Sequence, residues 1–378
     1  MKPARLLPLG TRLLCTSLLC TSLAHAADAT AATTTPQVAA LTEYQACLLR
    51  EAEQGRASLS VADIRLRCLR ENTATVAPAP AAAAAVGTAP RDAVITFSQL
   101  MQRPREALSL VEQRAVSEVR AAAEPFALLP HRPNYLLPVS HQQFAGAAAA
   151  AAPRRAIEAQ FQVSFKFPIT APLFGNRVLP FFAYTGRSWW QVYRTELSRP
   201  FREYNHEPEL FVAMPASSEW ELFGWRHRVT TFGFNHQSNG RSLPESRSWN
   251  RLVAEAWFDR SATNWAALKL WARIPERAKT SPSDNDGDDN PDITRYLGHG
   301  ELRLGYVSPG GHHNTLMLRR SLQRGGKGAL QFDWSLPTGY SPSLRWTATY
   351  FDGYGDSLID YNVRLRRVGI GIMLNDWF

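Results

Sequence analysis

From about residue 134 to the end, apolar and polar side chains take turns along the chain, which is the period of an extended strand and not of a helix. Phe161, Val163, Phe165 and Phe167 interleave with Gln160, Gln162, Ser164 and Lys166, one apolar face against one polar face. Turn residues cut the alternation into segments, and together they predict strands near 134–140, 157–168, 179–192, 205–214, 220–238, 247–259, 264–275, 294–307, 312–322, 327–336, 341–352 and 361–375. Twelve is an even number, as single-chain bacterial barrels require, so the expected fold is all-β: a twelve-stranded antiparallel transmembrane β-barrel. A water-soluble sandwich has the same period, and the alternation alone does not separate the two.

No run of about 18 apolar residues follows the first 26, so no membrane-spanning helix is predicted. The chain closes on Val368-Gly369-Ile370-Gly371-Ile372-Met373-Leu374-Asn375-Asp376-Trp377-Phe378. A last strand ending on a terminal phenylalanine resembles the assembly signal of outer-membrane barrels.

The front third has another character. Lys2, Arg5 and Arg12, the short apolar stretch Leu13 to Leu23 and Ala24-His25-Ala26 read as a secretory signal over residues 1–26. Cleavage removes three basic residues and no acidic one, taking the formal charge from +9 to 9 − 3 = +6. Residues 27–123 read as a helical periplasmic extension. Thr42 to Glu53 and a segment capped at Ser60-Val61-Ala62-Asp63 predict two helices, an Ala/Pro-rich tether follows over Thr73 to Pro90, and Ala107 to Ala123 reads as helix again. Export leaves Cys47 and Cys68 in an oxidising compartment, where a disulfide pinning the first two helices is the expected pairing. Residues 124–378 form the expected barrel.

The chemistry concentrates in Asn235-His236-Gln237-Ser238-Asn239-Gly240-Arg241-Ser242 and in Ser246-Arg247-Ser248-Trp249-Asn250-Arg251. His236 and Ser238 are two residues apart and share one face of a strand. Asn250 lies within hairpin range and is able to orient the imidazole. A base, a nucleophile and an orienting amide are the minimal parts of a serine hydrolase. That face also carries Phe232 and Phe234, and on the second arm Leu252, Ala254, Ala256 and Phe258. The reactive groups thus extend the apolar side of the strand pair. If the front third is periplasmic, odd strands run outward, and the connections holding Ser198, Gly240 to Ser246 and Asp284 to Asp289 fall together on the cell-surface rim.

At these residues the chain resembles the outer membrane phospholipase A family, over about Pro125 to Phe378. The blocks that carry the resemblance are Arg187-Ser188-Trp189-Trp190-Gln191, Pro200-Phe201-Arg202-Glu203, Glu207-Pro208-Glu209-Leu210-Phe211, Asp288-Asp289-Asn290-Pro291-Asp292-Ile293-Thr294 and Tyr354-Gly355-Asp356-Ser357-Leu358-Ile359-Asp360-Tyr361-Asn362. The resemblance implies phospholipase A1, phospholipase A2 and lysophospholipase activity on membrane phospholipids in the outer membrane, with calcium as cofactor and a homodimer as the active form. It makes Ser238 the nucleophile, His236 the base, Asn250 the orienting group and the Gly240 amide the oxyanion donor. It implies calcium ligation by the Arg241 carbonyl, by Ser246 and by Ser198 of the partner subunit, with Asp289 a ligand in a second arrangement. Leu243 stands where the family pattern can carry an acid, and Glu245 lies two residues on. The run Asp284 to Asp289 lacks the spacing of an EF-hand and reads as a surface loop.

Two other readings stay in view. A barrel without catalysis, a channel or surface scaffold, would make His236 an ordinary rim histidine. Gly355-Asp356-Ser357-Leu358 spells the opening of a soluble lipase motif but falls in the last hairpin of an all-β region. Arg319-Arg320 and Arg364-Leu365-Arg366-Arg367 have no recognition helix or aromatic platform beside them, so no nucleic-acid partner is expected.

Overall fold

The computed structural model describes residue 50 and residues 96–378, apart from 125, 146–155, 197–200, 217–219 and 342. The chain divides into two compact units at Gly87/Thr88, and the elements below all belong to the second. The signal, Cys47, Cys68 and Ser198 lie outside the described residues.

Among the described residues of this unit, two α-helices precede the strands, α1 (Phe97–Gln102) and α2 (Leu110–Ala121). Each starts on a capping box, Thr96 with Gln99 and Ser109 with Glu112, which satisfies otherwise orphaned N–H groups in both directions. Twelve long strands follow: β1 (Asn134–Phe144), β2 (Ile157–Pro168), β3 (Leu179–Trp190), β4 (Phe201–Pro215), β5 (Trp225–Ser238), β6 (Ser248–Asp259), β7 (Asn264–Ile274), β8 (Gly300–Val307), β9 (His313–Arg320), β10 (Gly328–Pro337), β11 (Arg345–Gly353) and β12 (Leu365–Asn375). Each pairs antiparallel with its sequence neighbours, and β12 pairs with β1, so the sheet closes on itself. This is the expected twelve-stranded barrel.

The side-chain distribution is that of a protein in lipid. Gln160, Gln162, Ser164 and Lys166 are buried in the lumen, whereas Val163, Phe167, Leu210, Phe232, Val368 and Ile370 are exposed outside. The polar interior is knitted closed. Arg132 pairs with Glu207 at 2.7 Å and Glu209 at 2.6 Å, and Arg251 reaches Glu207 at 3.0 Å while stacking 4.0 Å over Trp249. Voids of about 70 and 90 Å³ lie within this network. The lumen therefore acts as a rigid backing for whatever the strands display outside.

At one mouth, Val111, Ala115, Val116 and Val119 of α2 pack with Phe181, Val229, Trp257 and Trp265, and Trp377 and Phe378 lie against the same cluster. Lys166 pairs with Glu118 at 2.5 Å and Arg228 with Glu112 at 3.0 Å, while Arg114 donates to the carbonyls of Trp377 and His131. At the other mouth lie the described parts of the segments after β1, β3, β5, β7, β9 and β11. The strand expected at 294–307 begins only at Gly300, because Ile293–Leu297 forms a short helix, α3, ended by Gly298 at φ +79°. The strand expected from 220 is broken by Phe223-Gly224, both at positive φ, which fold residues 221–222 back onto 225–226.

Candidate active site

The register of β5 on β6 pairs His236 with Asn250 and Ser238 with Ser248. All four stand on the face that carries the exposed Phe232, Phe234 and Leu252, outside the barrel and next to the mouth opposite α2. Behind them, facing inward, Asn235 donates to Glu207 at 2.8 Å and the Trp249 indole donates to Gln237 at 2.9 Å. The strand pair is held from the lumen, and its outer face is free to present reactive groups.

His236 Nδ1 lies 2.8 Å from Asn250 Oδ1. The other end of that amide, Nδ2, donates to Glu276 Oε1 at 3.0 Å. A carboxylate only accepts, so Glu276 fixes the amide with NH₂ outward and oxygen toward the ring. The oxygen in turn must receive a proton from Nδ1, which leaves Nε2 with a lone pair. Glu276, just beyond β7, thereby sets the tautomer of a histidine two strands away. Sequence reasoning missed it, because nothing local marks Pro275-Glu276-Arg277 as special. The Ser238 hydroxyl makes no hydrogen bond among the described residues, and such contacts tighten once substrate is present.

Gly240 follows at φ +62°, a left-handed conformation that turns the chain out of β5. Buried Asn239 organises the loop from within. Its Oδ1 accepts from Arg247 N at 2.9 Å and Arg241 N at 3.3 Å, and its Nδ2 donates to the Glu245 carbonyl at 2.9 Å. The Arg241 side chain pairs with Glu203 at 3.1 Å and with Glu245. Glu245 is thus already engaged, and the Leu243 side chain has no oxygen to offer.

Two of the expected metal ligands meet: the Ser246 hydroxyl donates to the Asp289 carboxylate. Asp289 also faces Lys279 at 2.6 Å. Two other acids of the long loop are tied to bases. Asp288 pairs with Arg273 at 2.6 Å, and Arg277 with Thr280 holds the Asp284 carboxyl well below the usual carboxylate range. No group of three acidic, His or Cys side chains poised for a metal occurs among the described residues. The Gly355-Asp356-Ser357-Leu358 run is structural: Asp356 is buried, accepts from the Trp189 indole at 3.0 Å and pairs with Arg367 at 2.6 Å. Arg364 and Arg366 are paired with Asp352.

With this geometry in place, the comparisons with known proteins are direct. Residues 111–374 match the family model described as Phospholipase A1. Phospholipase A1 of Escherichia coli (strain K12) is 37% identical over 262 residues, covering 67% of this chain and 83% of that protein. Among solved structures, outer membrane phospholipase A from Escherichia coli superposes with a TM-score of 0.58 at 34% identity, over 67% of this chain and all of that one (100%). The Salmonella typhi outer membrane phospholipase dimer with bound calcium gives a TM-score of 0.59 at 31% identity, over 77% of this chain and 100% of that one.

Proposed function

This chain belongs to the phospholipase A1 family as an outer-membrane β-barrel esterase acting on phospholipids, and from that premise we propose how its own residues do the work. Ser238 is the nucleophile, His236 the general base, Asn250 the group that holds the imidazole, and the Gly240 N–H a donor to the oxyanion. The observation that carries this reading is the 2.8 Å contact of His236 with Asn250, on the outer face in register beside Ser238.

Ser238 Oγ bonds to the acyl carbon while its proton passes to His236 Nε2 and the carbonyl π pair moves onto oxygen. Collapse expels the glycerol oxygen, which takes that proton from His236. Water then repeats the sequence, releasing the fatty acid and restoring the serine. A neutral amide in place of an orienting carboxylate avoids setting an unpaired charge against hydrocarbon. Glu276 supplies the negative charge one amide further away.

Calcium is the cofactor this reading requires, supported by the calcium bound in the Salmonella typhi relative. Asp289, already in contact with Ser246, serves a second arrangement that needs no dimer, and the Arg241 carbonyl and the Ser246 hydroxyl are hard oxygen donors on one rim that fit a calcium ion. Ser198 of a second copy in a homodimer completes the set. When bound, the ion supplies positive charge beside the developing oxyanion. The catalytic rim faces the cell exterior and the α2 mouth faces the periplasm, so activity depends on phospholipid reaching the outer leaflet.

The test is calcium-dependent release of fatty acid from mixed micelles by the native protein and by Ser238→Ala. The expected loss is roughly 10³-fold or more, with the variant still migrating as a folded barrel on unheated gels. Equal release by both proteins overturns the assignment. The packed lumen speaks against the channel reading.

A further inference from the structure

Ser238 has a second histidine beside it. The registers of β3 on β4 and β4 on β5 put Gly186, His206 and Ser238 in one lateral row on the outer face. Directly opposed residues of this kind hold their Cβ atoms about 5 Å apart. His206 Nδ1 lies 2.6 Å from the Tyr184 hydroxyl. The tyrosine reaches it by lying over Gly186, where a Cβ would stand 3.2 Å from its oxygen and 3.3 Å from its ring. A side chain at 186 would require the tyrosine to give by a few tenths of an ångström.

The ring's other edge, Cδ2 and Nε2, points toward β5, since Cδ2 lies 3.9 Å from the place a Cβ on Gly240 would take. Nε2 thus faces the side where Ser238 and Gly240 lie, and no hydrogen bond occupies it among the described residues. With the Tyr184 hydroxyl donating to Nδ1, the ring carries its proton on Nε2. The two imidazoles flanking Ser238 are therefore sorted by their partners. Asn250 leaves His236 able to accept a proton, and Tyr184 leaves His206 able to offer one.

We infer that His206 is a catalytic residue whose Nε2–H donates a hydrogen bond to the acyl-ester oxygen of the phospholipid as that oxygen becomes an oxyanion, with Tyr184 as its positioning residue. This rests on Ser238 being the nucleophile. No proton leaves His206: it stabilises charge alongside the Gly240 amide, while His236 handles the proton.

The experiment measures kcat, KM in mixed micelles and inhibition by an alkylboronic acid, which forms a tetrahedral adduct with a serine hydroxyl, on the full chain with calcium. His206→Phe is expected to lower kcat by about 10²-fold, to leave KM nearly unchanged and to weaken the boronate in proportion. His206→Gln, whose amide nitrogen falls near the Nε2 position, recovers much of the rate, whereas His206→Asn, which mimics Nδ1, does not. Tyr184→Phe costs several-fold. Unheated-gel mobility checks folding, and the Gln and Asn pair decides the matter if the Phe variant misfolds. A Phe variant within twofold of native, a rate loss without boronate loss, or equal Gln and Asn variants overturns the inference. An active native protein with a dead Ser238→Ala and an unaffected His206→Phe sinks this inference alone. Equal activity of native and Ser238→Ala sinks the reading beneath it.

Discussion

Glu276→Gln isolates one physical quantity, the charge behind the Asn250 amide. The substitution keeps the shape and leaves an oxygen able to accept from Asn250 Nδ2, so the orienting hydrogen bond, 3.0 Å in the native protein, survives. What disappears is a negative charge that faces the imidazolium formed as Ser238 is attacked. The path runs 2.8 Å from His236 to the amide oxygen, across the amide, and 3.0 Å on to the carboxylate. The charges are then about 7 Å apart, which is about 2.4 kcal/mol at an effective dielectric of 20 and about 0.6 kcal/mol in bulk water. Glu276 is partly exposed, so the effect lies between these limits.

Those limits translate into a fall in kcat of roughly threefold to fiftyfold. KM stays put, because the imidazolium exists only along the reaction path. Glu276→Ala removes the hydrogen bond as well, lets the amide turn its NH₂ to the ring and falls further. The assay is initial-rate fatty acid release at saturating calcium, with unheated-gel mobility as the folding control. Native kcat in both variants would show that His236 needs no charge behind Asn250, and would refute the chain of reasoning from carboxylate to amide to tautomer.

Three further outcomes follow from the same contacts. Asn239→Ala deletes the bonds that hold Arg241 N, Arg247 N and the Glu245 carbonyl, so the loop bearing Gly240 loosens; kcat and apparent calcium affinity should both fall, by about tenfold, in a calcium titration of activity. Glu118→Ala strands Lys166 in the α2 mouth and should cost about 3–5 kcal/mol in urea unfolding from detergent, with native activity below the transition. Asp289→Asn weakens a hard-oxygen site while leaving a partner for Ser246, so the calcium needed for half-maximal activity should rise about tenfold and maximal rate should be regained at high calcium.

The barrel was legible in the sequence because its environment inverts the usual rule at every second residue. Gln160, Gln162 and Ser164 are useless on a lipid face and Phe161, Val163 and Phe165 wasteful in a polar lumen, so the alternation has one stable setting. Local features were harder to read. Most of α3 fell inside the strand expected from 294, although Ile293, Tyr296 and Leu297 have the i, i+3, i+4 spacing of a helix and pack with Trp249 and Trp271. The fold-back at Phe223-Gly224 depends on positive φ at a bulky residue, which no residue-type preference announces.

The site divides along the same line. His236 and Ser238 sit on one strand, and Asn250 sits on its hairpin partner, so spacing along the chain suffices to bring them together. Glu276 comes from the next strand's end, and His206 and Tyr184 come from the two strands on the other side; their membership is fixed by lateral register alone. Register in turn is pinned by the buried lumen pairs, Arg132 and Arg251 on Glu207 among them, because a one-residue slip would drive those charges into lipid. The interior ion network, silent in any motif, is therefore what sets two histidines on opposite sides of one serine with opposite protons. A substitution that shifts β4 against β5 should disable the enzyme without touching any of the residues that react.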